Sequence, residues 1–103
     1  MNNRKQQLQD MLAEDPADPF LHYGLAMEHV SEGDDQAAVE RFRTLIALVP
    51  DYVPAYMQAG QALSRLRRPA EAKDTWQAGI RQARQKGDVH AAEEMQGMAE
   101  SLA

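Results

Sequence analysis

The chain has 103 residues, of which 44% are apolar and 26% charged; it has no cysteine and a formal net charge of −5. That is the size of one domain and the composition of a globular chain, and the lack of thiols excludes disulfides, thiolate metal sites and cysteine nucleophiles. No apolar run reaches the ~18 residues of a membrane span, and the opening MNNRKQQLQDMLAEDP has no signal-like apolar segment, so a cytoplasmic chain without a membrane partner is expected.

In chain order, the first predicted helix covers 3–14, with Leu8, Met11 and Leu12 on one side and Pro16 just beyond its end. Asp18-Pro19 then starts a helix over 19–32, aspartate as N-cap and proline where a missing N–H costs nothing. This helix carries two apolar stripes, Leu25/Ala26/His29 and, at i, i+4, i+7, Tyr23/Met27/Val30. Gly33-Asp34 makes a turn, glycine ending one helix and aspartate capping the next. The third helix, 35–48, shows Ala38, Phe42, Leu45, Ile46 and Val49 at helical spacing. Pro50 stops it, and Pro54 restarts the chain in a fourth helix over 53–66, with Tyr56, Ala59, Gly60 and Leu63 on one face. Arg68-Pro69 makes the next turn, and a fifth helix over 69–86 carries Ala72, Trp76, Gly79, Ile80 and Ala83. A sixth, 88–101, carries Ala91, Met95 and Met98, with Leu102 just beyond, and Val89, Ala92 and Ala99 on its other side.

The pattern repeats at an interval of 34 residues. Pro16 and Pro50 are so related, as are Leu8, Phe42 and Trp76, then Leu12, Ile46 and Ile80, and then Ala38 and Ala72. His22, Tyr56 and His90 share one position, which predicts packing roles for both histidines, and His29 falls on the packed face. Small residues (Ala26, Gly60, Ala38, Ala72) recur where helices would cross closely, with large ones three or four positions on.

These residues resemble the tetratricopeptide repeat. His22, Leu25, Ala26, His29, Ala38, Phe42 and Pro50 stand at the family's marked positions in a first unit, and Tyr56, Ala59, Gly60, Leu63, Ala72 and Trp76 in a second. His29 departs from the usual aromatic, and Arg84 stands where the closing proline is expected, so the fifth helix should run longer, to Gly87. The resemblance implies an all-α, right-handed solenoid of antiparallel helix pairs, about six helices in all. It implies a single domain over 1–103. Within it, 3–16 is an N-terminal half-repeat helix, 19–52 and 53–86 are two repeats, and 88–102 is a C-terminal capping helix. A first helix ready-made at Met1 reads as the start of a complete chain.

The resemblance also implies a concave groove lined by the first helix of each unit. The groove residues would be Phe20, Tyr23, Met27, Val30, Met57, Gln61 and Arg65, flanked by Ser31, Pro54 and Ser64. The Tyr23/Met27/Val30 stripe would either be covered by a terminal helix or be open to a partner. The positions with which some family members clamp an acidic chaperone tail hold Tyr23, Met27, Gln58, Asp88 and Ala92, none of them a cation. A chaperone-tail carboxylate clamp is therefore not expected, since nothing offsets desolvation of the carboxylate. An apolar or amphipathic segment of another protein fits better, and methionine suits an adaptable surface.

No metalloprotease helix, nucleophile elbow or phosphate loop is present. No catalytic residue, metal ligand or cofactor is therefore expected, and the chain reads as a non-catalytic interaction module. The charge is uneven: residues 1–40 hold 2 basic and 9 acidic groups, 41–86 hold 9 and 3, and 87–103 hold 4 acids and no Lys or Arg. The acidic total argues against nucleic acid, despite Arg65, Arg67, Arg68, Arg81 and Arg84. The layout, with the two-faced helices, carries the alternative: a self-associating scaffold, a homodimer or larger, whose groove or terminal helix is filled by another copy.

Overall fold

A computed structural model describes residues 3–102. Within them the chain forms six helices and no strand: α1 (Asn3–Glu14), α2 (Pro19–Ser31), α3 (Asp35–Leu48), α4 (Val53–Arg65), α5 (Pro69–Gln85) and α6 (Val89–Ser101). Local chemistry sets these bounds. An Asp18 carboxylate oxygen accepts from the N–H groups of Phe20 at 2.8 Å and Leu21 at 3.4 Å, satisfying donors that a helix start leaves orphaned. Asp34 caps α3 through Ala37 N–H, and Asp88 caps α6 through Ala91 N–H.

One turn geometry closes α2, α4 and α5. Gly33 N–H donates to Val30 and Asp34 N–H to His29; Arg67 and Arg68 repeat this onto Ser64 and Leu63, and Gly87 and Asp88 onto Arg84 and Ala83. The pivot residue is left-handed each time, with φ of 78° at Gly33, 61° at Arg67 and 75° at Gly87. Glycine adopts this freely; arginine does so against its Cβ.

The helices stack in order, each packing extensively on the next in sequence, in a body of 38 × 28 × 19 Å. Leu8 and Leu12 of α1 pack with Leu21 and Leu25 of α2. Phe42 and Leu45 of α3 pack with Ala26, Ala38, Ala55 and Ala59. Trp76 and Ile80 of α5 pack with Tyr56, Leu63, Ala72 and Met95. The small residues are needed where expected. A Cβ on Gly60 would lie 2.1 Å from the Trp76 indole nitrogen, and one on Gly79 would lie 2.5 Å from Tyr56 Cβ. The indole N–H donates to the Met57 carbonyl at 3.2 Å, fixing the ring over that gap.

The interval of 34 holds in side-chain bonding through the first two units. His22 Nε2 bonds the Pro16 carbonyl at 2.7 Å, and the Tyr56 hydroxyl donates to the Pro50 carbonyl. It fails at His90, which is not packed: its side chain is 87% exposed and pairs with Glu94 at 2.7 Å. The cause is Arg84. Without a closing proline α5 runs on to Gln85, so α6 begins 36 residues after α4. The buried Ala91, Ala92 and Met95 accordingly stand 36 residues beyond Ala55, Tyr56 and Ala59. His29 is packed as expected, its side chain 12% exposed and its Nδ1 buried without a hydrogen bond, 3.6 Å from Glu32.

Candidate interaction face

The expected groove residues lie on α2 and α4. Leu21, His22, Leu25 and Ala26 turn one side of α2 into the stack and are buried. Tyr23, Met27 and Val30 sit beside them, half-buried against the Phe42/Leu45 cluster. The Tyr23 ring tilts between Phe42, at 5.9 Å and 59°, and Tyr52, at 5.7 Å and 45°. Burial pushes its phenol above the ordinary 10.0, the neighbouring Tyr52 adds to this, and a hydrogen bond with Gln58 of α4 opposes it. Phe20, in the first turn of α2, is 70% exposed.

On α4, Met57 is half-buried against the Trp76 cluster. Gln61 Nε2 lies 3.7 Å from Met98 Sδ of α6. Arg65 forks onto Asp35 at the start of α3, Nε to Oδ2 at 3.0 Å and Nη2 to Oδ1 at 2.9 Å. A planar fork on one carboxylate is the geometry that suits arginine best. Gln61 and Arg65 line a cavity of about 340 Å³ together with Ser64, Trp76, Met98 and Leu102. Six of the seven residues fall into two groups, an apolar one on α2 (Tyr23, Met27, Val30) and a mixed one on α4 (Met57, Gln61, Arg65), and Phe20 lies exposed at the head of the first.

Neither terminal helix has the apolar stripe among its main partners. α1 meets α2 through Leu21 and Leu25, and α6 packs on α5. Of the positions tested for a carboxylate clamp, Asp88 is used as the α6 cap and Ala92 is buried. Among the described residues no group of three His, Asp or Glu side chains could hold a metal, and no helix is long and apolar enough to cross a membrane.

No family model matches the chain. A TPR repeat-containing protein of Pseudomonas aeruginosa is 28% identical over 88 residues, 85% of this chain and 84% of its own. The solution structure of a tetratricopeptide repeat domain protein from Salinibacter ruber is 36% identical, covers 84% of this chain and 88% of its own, and superposes with a TM-score of 0.79. The chain belongs to the tetratricopeptide repeat family. The fold is shared more widely: the Yersinia enterocolitica type III secretion translocator chaperone SycD superposes with a TM-score of 0.88 at 15% identity, covering 95% of this chain and 68% of its own.

In this tetratricopeptide chain three residues of the face escaped the sequence reading. Asp35 holds Arg65, Tyr52 flanks Tyr23, and Met98 meets Gln61. Asp35 and Arg65 are 30 residues apart and belong to different units, so neither helical period nor repeat interval links them. Tyr52 precedes a helix outside any apolar stripe and carried no periodic signal.

Proposed function

We propose that this chain is a non-catalytic protein-binding module that seats an apolar or amphipathic segment of a partner against α2 and α4. The observation that carries the reading is the α2 face: Tyr23, Met27 and Val30 half-buried, with Phe20 70% exposed at its head. Aromatic side chains at the edge of a helix offer large contact area to a partner at little entropic cost, and methionine adapts its shape to what it meets. Arg65 contributes shape and a fixed ion pair more than an open charge, because Asp35 already holds its guanidinium. The acidic total charge weighs against nucleic acid as the partner.

A peptide-display selection against the folded chain tests this. Selected peptides should be rich in apolar residues at helical spacing. The double variant Phe20→Ser, Met27→Ser, with its helical circular dichroism unchanged, should bind them about five- to thirtyfold more weakly, the loss of about 1–2 kcal/mol that two apolar contacts carry. Peptides that bind both proteins equally, or a selection that yields none, would refute the reading.

A further inference from the structure

The two ends of the stack are unlike halves of one unit. α1 has the character of a second helix: Leu8, Met11 and Leu12 stand 34 residues before Phe42, Leu45 and Ile46. α6 has the character of a first helix: Ala91, Ala92 and Met95 stand 36 residues beyond Ala55, Tyr56 and Ala59. Leu45 is fully buried between α2 and α4, whereas Met11 at the matching place is 51% exposed. On α6, the side on which α4 receives Trp76 and α2 receives Phe42 is open. It forms a cleft of about 350 Å³ lined by Val89, Ala92, Glu93, Gln96 and Gly97 of α6, with Arg84 before the helix start and Glu100 in its last turn. Val89 is 62% exposed, and a Cβ on Gly97 would meet nothing within 4 Å.

We propose that the α6 cleft takes α1 of a second copy, so that chains stack head to tail and a complete helix pair forms at each junction. The occupant is identified by register and by charge. Within each unit the two helices are antiparallel, joined by a short turn. An α1 seated in the same way puts its last residue, Glu14, beside Arg84, and its first turn, where Arg4 and Lys5 already pair with Glu28 and Glu32 of α2, beside Glu100. The opposite α1 polarity would set Glu14 against Glu100 at the acidic end of α6, which carries three glutamates and no Lys or Arg. Met11, at the place of Leu45, would be covered. The contact is heterologous, one surface on each chain, so it propagates without closing. It uses neither Phe20 nor Tyr23 and stands independently of the α2 face.

Sedimentation velocity of the full chain over a wide concentration range tests this. The mass should rise with concentration and pass through the dimer without stopping there. Val89→Asp blocks only the cleft and Met11→Asp only the α1 surface; both sites are exposed, so the fold survives, and circular dichroism checks it. Each variant alone should be monomeric, while the two mixed should give a one-to-one heterodimer, because each retains the surface that the other lacks. Arg84→Glu should weaken that heterodimer by about tenfold when placed in the chain that keeps its cleft, and Glu14→Arg in the other chain should restore it. A wild-type chain that stays monomeric, a mass that stops at a dimer, or single variants that associate as well as wild type would each overturn the proposal.

Discussion

Single side chains carry sharp tests. Gly60 faces the Trp76 indole at a distance no Cβ tolerates, and the ring is pinned by its bond to the Met57 carbonyl. Gly60→Ala should therefore destabilise the fold by about 2 kcal/mol, the cost of overpacking, despite alanine's better helix propensity. A denaturant midpoint at or above wild type would contradict the packing described. Arg67 sits left-handed at φ 61°, where the other two turns of its kind use glycine. Arg67→Gly should stabilise by about 1 kcal/mol, relief of the Cβ clash outweighing the entropy glycine adds to the unfolded chain; an unchanged or lower midpoint would contradict that balance. The two tyrosines set an alkaline limit. Burial raises the phenols of Tyr23 and Tyr56 above 10.0, Tyr52 adding to the first and Asp51 to the second. A group whose folded pKa is raised binds its proton more tightly when folded. Its stabilisation is full below pH 10 and declines as pH rises through 10 and beyond. Unfolding free energy followed against pH should fall in that range, and less steeply in Tyr23→Phe. Parallel curves for the two proteins would contradict the assignment.

Among the elements, α5 shows how one residue resets a register. The sequence made most of the helices legible because proline and glycine punctuate them: Pro19, Pro54 and Pro69 start helices, Pro16 and Pro50 follow them, and Gly33 closes one. Arg84 in place of a proline predicted a longer fifth helix, and α5 does extend to Gln85. The consequence for the next helix was not legible, because an interval read from two units has no way to signal a shift of two in the third. His90 was therefore placed in the core and is exposed, while Ala92 holds the buried place that Tyr56 holds in the unit before. Arg84→Pro should cost about 3 kcal/mol, since it puts a proline inside the last turn of α5, where its ring meets the carbonyl four residues back. Thermal melts matching wild type would show that α5 can end early without penalty.

At the scale of the molecule, order along the chain is also order in space, and this is what makes a solenoid recognisable from a repeat interval. The candidate face was only half legible. Tyr23, Met27 and Val30 announced themselves by spacing, but Asp35, Tyr52 and Met98 complete the surface through contacts between units that periodicity does not encode. Neither terminal helix has the α2 stripe among its main partners, and that keeps the proposed binding face available. The most direct measurement is an amide chemical-shift map of the chain with a display-selected peptide added. Shifts concentrated at Phe20, Tyr23, Met27 and Val30, and continuing onto Met57 and Gln61, are the expected result. Shifts confined to the outer sides of α3 and α5, with α2 unmoved, would contradict the account.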